Sequence, residues 1–483
     1  MNRMVVGPFN RVEGDLEVRI EHEDNAVTRA EVVTPLYRGF ERMLLGKPPM
    51  DALVYAPRIC GICSVSQSVA AAQALASAMN IRLPQNGELA VNLIHATENV
   101  ADHLTHFYLF FMPDFARDTY QSEAWHPDIK TRFTAMKGTA PEDVLPARAQ
   151  FMHIMGILAG KWPHTLSIQP GGSTRSVAPG EIARLDAILK AFRRFLERHL
   201  YGDRLERIVS LQCAQDLAAW SAERPPETCD FRRFLNVSAA LELDRLGRSS
   251  GRFLSYGGYA MQGATLFRRG VFMTGNYAPF DARSVTEDTS SSWYKPGTGP
   301  EHPMTGTTDP DADRSEAYSW CKAPRLDGEI MEVGALARQL IDGNALIRDL
   351  VARKGGSVHT RIVARLLEIA LVVMAMERWV AALQADGKYI VHEKIPASGE
   401  GIGLTEAARG SLGHWLSIEN GRIANYQIIA PTTWNFSPRD GAGVAGPLEL
   451  ALVGAPIRPG ETDPVSVQHI VRSFDPCMVC TVH

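Results

Sequence analysis

The chain has 483 residues, a formal net charge of −4 and a hydrophobic content of 45%. This balance suits a globular protein with a sizeable core and argues against a nucleic-acid or membrane-surface protein. Its opening residues are too short an apolar run for a signal peptide, and no run of about 18 apolar residues follows, so no membrane span is expected and a cytoplasmic location is the default.

In chain order, residues 17–20 and 31–34 read as a half-exposed strand pair, with Asp24-Asn25 suited to a turn. Tyr37-Arg38-Gly39-Phe40-Glu41 leads into a short helix, and the alanine-rich stretch 66–79 reads as a longer one. Over 87–111, apolar residues Leu93, Ala96, Val100, Leu104, Phe107 and Phe111 recur three or four apart, the period of a helix. Further helices are expected over 146–158 and 182–201, the latter opened by Pro179-Gly180. Residues 225–330 are rich in glycine, serine, aspartate and proline, with short β-like runs such as 252–256, and read as a smaller α+β lobe. Helices resume at 334–350 and 361–385. Asn420-Gly421 between the strand-like runs 416–419 and 423–429 is a hairpin signal. A last helix, 465–472, delivers the C-terminal residues. The expected architecture is mainly α with peripheral β, long helices packed around a buried site, as a single integrated domain over 1–483.

The cysteines are Cys60, Cys63, Cys213, Cys229, Cys321, Cys477 and Cys480. Their odd number and low density speak against a disulfide scaffold. Two C-x-x-C pairs, Cys60/Cys63 and Cys477/Cys480, have the spacing that lets both sulfurs reach one metal. If both serve one site, the two ends of the chain must meet. Zinc modules usually keep their pairs close in sequence, so a zinc staple is the lesser alternative. Four thiolates suit a thiophilic transition metal, or two metals sharing bridging sulfurs. The remaining three cysteines match no motif and are assigned as structural thiols.

The segments Arg58-Ile59-Cys60-Gly61-Ile62-Cys63 and Asp475-Pro476-Cys477-Met478-Val479-Cys480-Thr481-Val482-His483 resemble the two signature motifs of the nickel–iron hydrogenase large subunit. Arg11-Val12-Glu13-Gly14, Arg38-Gly39-Phe40-Glu41, Asp102-His103, Gly160-Lys161-Trp162-Pro163-His164, Glu406-Ala407-Ala408-Arg409-Gly410 and Pro431-Thr432-Thr433-Trp434-Asn435 match in order, across nearly the whole chain. The resemblance implies the hydrogenase large-subunit fold and a nickel–iron centre with two cyanides and one carbonyl on iron. It implies Cys60 and Cys477 as terminal nickel ligands and Cys63 and Cys480 as bridges. Heterolysis of dihydrogen needs an electrophilic metal and a base, and the Cys477 sulfur with Glu13 behind it would carry the proton. Arg409 resembles the arginine that hangs over the metals, although Ala408 stands where the family often has proline. Asp102 and Asp475 match two further residues around the open position, and Thr432 matches a hydroxyl that hydrogen-bonds a cyanide. Glu41, His483 and the Ile428 carbonyl match the ligands of a second, buried divalent cation, magnesium or another such as iron.

No further cysteine set is left to hold an iron–sulfur cluster, so an iron–sulfur small subunit is expected as partner. Where many catalytic members have histidine, this chain has Gln67, and nothing follows His483. The glutamine resembles the regulatory, hydrogen-sensing branch, with which the missing extension is compatible, and that branch implies signalling to a histidine kinase. Ile62 and Phe110 replace smaller residues of catalytic relatives and suggest a narrowed gas route. An energy-conserving uptake hydrogenase would share every metal ligand and is the alternative. A structural descendant related to complex I would have lost the cysteine pairs.

Overall fold

The computed structural model describes residues 2–483. The chain opens with an antiparallel sheet in the order β1 (Asn2–Val6), β2 (Glu17–Glu23), β3 (Ala26–Val33). Asp24 and Asn25 make the turn in the left-handed region, with φ of 49° and 61°, a conformation that Asn and Asp tolerate. The sequence pattern showed β2 and β3 but not β1, which pairs along its full length with β2. Val18, Ile20, Val27, Ala30 and Val32 turn one face of this sheet into the core.

A short helix α1 (Phe40–Leu44) carries Glu41, and α2 (Ser64–Ala78) follows the first cysteine pair. The long helix α3 (Gln85–Thr105) ends in a π-helical turn, His106–Phe111. The expected helix at 146–158 is two helices, α4 (Ala140–Phe151) and α5 (His153–Ala159), and Pro146 lies inside the first. Next, α6 (Pro179–Phe195) closes in a second π turn, and α7 (Asp230–Ala240) opens the glycine-rich region. The helix expected over 334–350 is broken: α8 (Ala335–Asp342) ends at Gly343, with φ of 95°, and Asn344 caps α9 (Ala345–Lys354) by accepting from the Ile347 N–H at 3.1 Å. The sequence pattern misses this stop because the apolar period runs through it. Helix α10 (Val358–Ala382) is buried over most of its length and packs on α3.

The region 225–330 holds α7 and several strands of three or four residues. Its apolar residues Leu254, Tyr256, Val271, Val285 and Leu326 form a second core cluster together with Trp415, Ile429 and Trp434. A C-terminal antiparallel sheet runs β4 (Gly399–Ala407), β5 (Gly410–Glu419), β6 (Arg422–Ile429). The hairpin at Asn420-Gly421 is present, while β4 was hidden by its glycines. Those glycines let the strand backbone lie against α2: a Cβ on Gly401 would stand 2.0 Å from the Ala74 carbonyl oxygen, and one on Gly403 1.9 Å from that of Ala70. Helix α11 (Val465–Phe474) and the one-turn α12 (Met478–Thr481) complete the chain. Among the described residues, no helix is long and apolar enough to cross a membrane.

Candidate metal centre

The two ends of the chain meet. Cys60 lies in extended backbone, Cys63 stands at the start of α2, and Cys477 and Cys480 sit at the start and end of the tight turn that forms α12. All four sulfurs lie within 4.8 Å of one another and all four residues are buried. Cys60 Sγ is 3.5 Å from Cys477 Sγ, Cys63 Sγ is 2.8 Å from Cys480 Sγ, and Cys477 and Cys480 are 3.2 Å apart. These separations exceed a disulfide bond of about 2.05 Å, and all seven cysteines are free. Hydrogen bonds from Cys477, Cys480 and Cys63 hold the Cys60 thiol well below its usual range. Cys63 is pushed well above that range, chiefly through its bond with Cys477, and Cys480 chiefly by burial. Burial and mutual contact thus oppose carrying four thiolates together. A set of four would need cationic metal at its centre, and four soft donors at this spacing fit one.

The termini are held together by specific backbone contacts. The N–H of Met478 donates to the Glu13 carbonyl at 2.7 Å, and Glu13 and Cys477 form a parallel bridge. Gly14, with φ of 83°, has Met478 and Val479 packed against it, so a side chain there would push the cysteine turn away. Arg38 donates to the carbonyl oxygens of Ile59 and Val479, one residue before Cys60 and one before Cys480. The Cys477 N–H donates to Thr432 Oγ at 3.2 Å, and the Thr433 hydroxyl donates to the Thr481 carbonyl at 3.0 Å.

Above the sulfurs sits a buried ionic group. The turn between β4 and β5 projects Arg409, whose guanidinium pairs with Asp102 from α3 and, at 3.1 Å, with Asp475 from the end of α11. Its Nε also donates to the Asp475 carbonyl at 2.8 Å. Burial works against the Arg409 charge, but Asp102 and Asp475 outweigh it and raise its proton affinity. Burial pushes the Asp102 carboxyl up to about 7 against the pull of Arg409. Burial also opposes ionisation of Asp475, but Arg409 and its neighbours His106 and Arg365 hold its carboxyl below the usual range. Glu13 is half-buried at the rim. Burial raises its proton affinity, Arg409 lowers it, and the Cys60 and Asp475 charges raise it further.

A second cluster lies at the C-terminus. His483 Nε2 is 3.2 Å from Glu41 Oε1, which also accepts the Ile428 N–H at 2.8 Å. The contact of Ile428 with Glu41 runs through this N–H. Lys322 Nζ donates to Gln427 Oε1 at 2.6 Å and lies 3.3 Å from Glu41 and 3.4 Å from Glu287. Burial opposes the Glu41 charge, but Lys322 and His483 bring its carboxyl down to about 2. Two buried carboxylates and the Gln427 amide oxygen surround the Lys322 ammonium, with His483 beside Glu41, so Lys322 supplies the positive charge of this cluster. Of these, the sequence motifs pointed to Glu41 and His483. Lys322, Glu287 and Gln427 carried no local signal, since their partners lie far away in the chain.

Gln67, on α2, is buried. Its Oε1 accepts the Nε2–H of His414 at 2.8 Å, and His414 Nδ1 takes the Tyr426 hydroxyl at 2.7 Å. Burial lowers His414 to about 3, so it is neutral. His414 belongs to none of the matching motifs, yet it is fully buried and joins Gln67 to Tyr426. His106 is a core residue, with Nε2 2.6 Å from the Arg472 carbonyl oxygen. Ile62 packs half-buried against the main core, and Phe110 lies half-buried on the π turn after α3.

A profile of the family described as nickel-dependent hydrogenase matches residues 38–134 and 231–483. This chain belongs to the nickel-dependent hydrogenases. The periplasmic [NiFeSe] hydrogenase large subunit of Desulfomicrobium baculatum is 28% identical, over all of this chain and 95% of the relative. The uptake hydrogenase large subunit of Cupriavidus necator is also 28% identical, over all of this chain and 95% of that one. The solved Ni-Fe-Se hydrogenase of D. vulgaris Hildenborough superposes with a TM-score of 0.85 at 29% identity, over the full length of both chains. The fold is that of a hydrogenase large subunit, and the protein is an enzyme of that class.

Proposed function

We propose that the four thiolates hold a nickel–iron centre, with Cys60 and Cys477 as terminal nickel ligands, Cys63 and Cys480 as bridges, and two cyanides and one carbonyl on iron. The observation that carries this is the convergence of four buried sulfurs from the two ends of the chain. When bound, the centre supplies the electrophile that polarises dihydrogen and the first acceptor of its electrons. The protein's own groups handle the proton and the surrounding charge. The Cys477 sulfur is the first base, and the Glu13 carboxylate, one backbone bridge away, takes the proton on toward the surface. Its raised proton affinity brings it nearer the working pH, as a relay requires. Arg409, pinned by Asp102 and Asp475, offsets thiolate charge and cannot be titrated away. Thr432 Oγ accepts from the Cys477 N–H, which leaves its own O–H free for a cyanide. Glu41, His483 and the Ile428 carbonyl hold a divalent cation, magnesium or iron, and so order the tail that carries Cys477 and Cys480.

The electrons leave through an iron–sulfur small subunit. Among the described residues, Cys213, Cys229 and Cys321 join no metal-binding group. Five exposed apolar residues, Leu36, Met43, Leu45, Met50 and Val54, fall in the stretch just before the first cysteine pair, which suits a docking face for that subunit. The role is hydrogen sensing, with a histidine kinase as the downstream partner and a cytoplasmic location. Gln67 supports this: a neutral amide, held by neutral His414, stands four residues after Cys63. An uptake role is the second reading, favoured by the uptake hydrogenases among the relatives. Steady-state hydrogen oxidation by the purified complex, read beside kinase phosphorylation with and without hydrogen, separates the two. Low turnover with hydrogen-dependent phosphorylation is expected. Fast turnover with no effect on any kinase would mean uptake.

A further inference from the structure

The helix that carries Cys63 begins without a cap of its own. Cys63 stands at the N-cap position of α2 and makes no side-chain cap bond, because its sulfur faces Cys480 at 2.8 Å. First-turn N–H groups left without an acceptor destabilise a helix, and one buried in the core has no water to turn to. Glu98, from the middle of α3, supplies the acceptor. Its Oε2 accepts the Val65 N–H at 2.9 Å and its Oε1 the Ser66 N–H at 2.9 Å. The Ser66 hydroxyl donates to Oε1 at 3.1 Å and the Ser64 hydroxyl to Oε2 at 3.4 Å. The Trp162 indole N–H also donates to Oε2, at 3.0 Å.

One carboxyl, 2% exposed, thus joins the first turn of α2 to the loop that follows α5. That loop grips the cysteine segment twice more: the His164 N–H donates to Ser64 Oγ at 3.3 Å, and His164 Nδ1 lies 3.0 Å from the Pro57 carbonyl oxygen. Burial pushes the Glu98 carboxyl up to about 8, while the N–H bonds from Val65, Ser66 and Trp162 pull the other way. Burying a carboxyl is costly unless its partners are all in place. Here they are: Ser64, Val65 and Ser66 from the first turn of α2, and Trp162 from the loop after α5.

We propose that Glu98 is a positioning residue for the metal centre: it caps the Cys63 helix from a neighbouring helix and locks it to the Trp162 loop, which fixes the direction of the Cys63 sulfur. The proposal rests on the nickel–iron reading. Both carboxyl oxygens accept N–H bonds, so an amide in their place sets its own N–H group against one of the donors. Glu98→Gln therefore moves the first turn of α2, and Cys63 with it. The Ser66 N–H and the Val65 N–H cannot both be satisfied by a single amide oxygen in this geometry.

The test is infrared spectroscopy of the matured complex, comparing the parent with Glu98→Gln and Trp162→Phe at matched nickel and iron content. The cyanide and carbonyl bands should shift in Glu98→Gln and shift less in Trp162→Phe, which removes one of the three N–H donors. A carboxyl that served the fold alone would lower the melting temperature and leave the bands in place. Unchanged bands in loaded Glu98→Gln overturn the proposal. Should that variant fail to take up metal, Trp162→Phe and Ser66→Ala decide, and unchanged bands in both overturn it. A parent protein that holds nickel and iron but shows no such bands is a different failure: it removes the nickel–iron assignment, and the proposal with it.

Discussion

Cys477 Sγ has a sulfur neighbour on each side, Cys60 at 3.5 Å and Cys480 at 3.2 Å. Serine at 477 or 480 puts a neutral hydroxyl where a soft anionic donor is needed. Each variant is expected to lose nickel and all hydrogen–deuterium exchange, checked by elemental analysis beside mass-spectrometric exchange. Retained nickel with normal exchange would remove that residue from the centre. Glu13 makes a finer test. Its backbone carbonyl holds Met478, but its carboxyl does not, so Glu13→Gln keeps the fold of the cysteine turn. Exchange should fall by about 100- to 10,000-fold, the usual worth of a positioned proton carrier, at unchanged nickel content. Unaltered exchange in a fully loaded variant would make Glu13 an ordinary rim residue. The cysteine pairs stood out by their spacing, whereas Glu13 was singled out only by the resemblance of its motif, since a glutamate beside a strand is usually a surface residue. Arg38 was legible only as part of a motif. What it does, bridging the carbonyls of Ile59 and Val479, depends on contacts that no local pattern encodes.

The helix α2 is placed by its neighbours, and β4 lies on it backbone to backbone. Gly403→Ala would set a Cβ 1.9 Å from the Ala70 carbonyl oxygen. The expected cost is about 1–3 kcal/mol or more from overpacking, and displacement of α2 should lower nickel content too. A thermal melt at parental stability would show that the strand can move aside. A second element-level prediction concerns Glu449, on the short helix Pro447–Leu452. It accepts the Val32 N–H of β3 at 3.0 Å and the Tyr318 hydroxyl at 2.8 Å. Burial pushes its carboxyl up to about 7. The folded protein therefore holds this proton where the unfolded chain, near 4.3, has released it. That contribution to stability is full at low pH and is lost as pH rises toward 7, about 4 kcal/mol at most. Urea midpoints at pH 5 and pH 8 should differ less in Glu449→Gln than in the parent; equal differences would refute the assignment. The helical period located α3 and α10 well, because their buried faces are long and regular. It ran through the stop at Gly343 and missed β4, because a glycine conformation and a backbone approach leave no trace in hydrophobic spacing.

Across the whole molecule, the defining fact is closure: residues 11–14, 38–41 and 58–63 are assembled with the last ten residues of the chain. The paired cysteine motifs announced this closure, while the second core cluster, shared between the 225–330 region and the C-terminal sheet, could not be foreseen from composition. The exposed apolar stretch that precedes the first cysteine pair gives a prediction at this scale. Leu45→Asp with Met50→Asp should reduce co-purification of an iron–sulfur subunit while the large subunit keeps its thermal stability, since both residues are solvent-exposed here. Full recovery of the complex would move the docking face elsewhere. The central claim is that the two ends of the chain close on a nickel–iron centre carrying cyanide and carbonyl. Infrared spectroscopy of the matured protein addresses it most directly. The account predicts two cyanide bands and one carbonyl band, all lost in Cys480→Ser; nickel-loaded protein without those bands would contradict it.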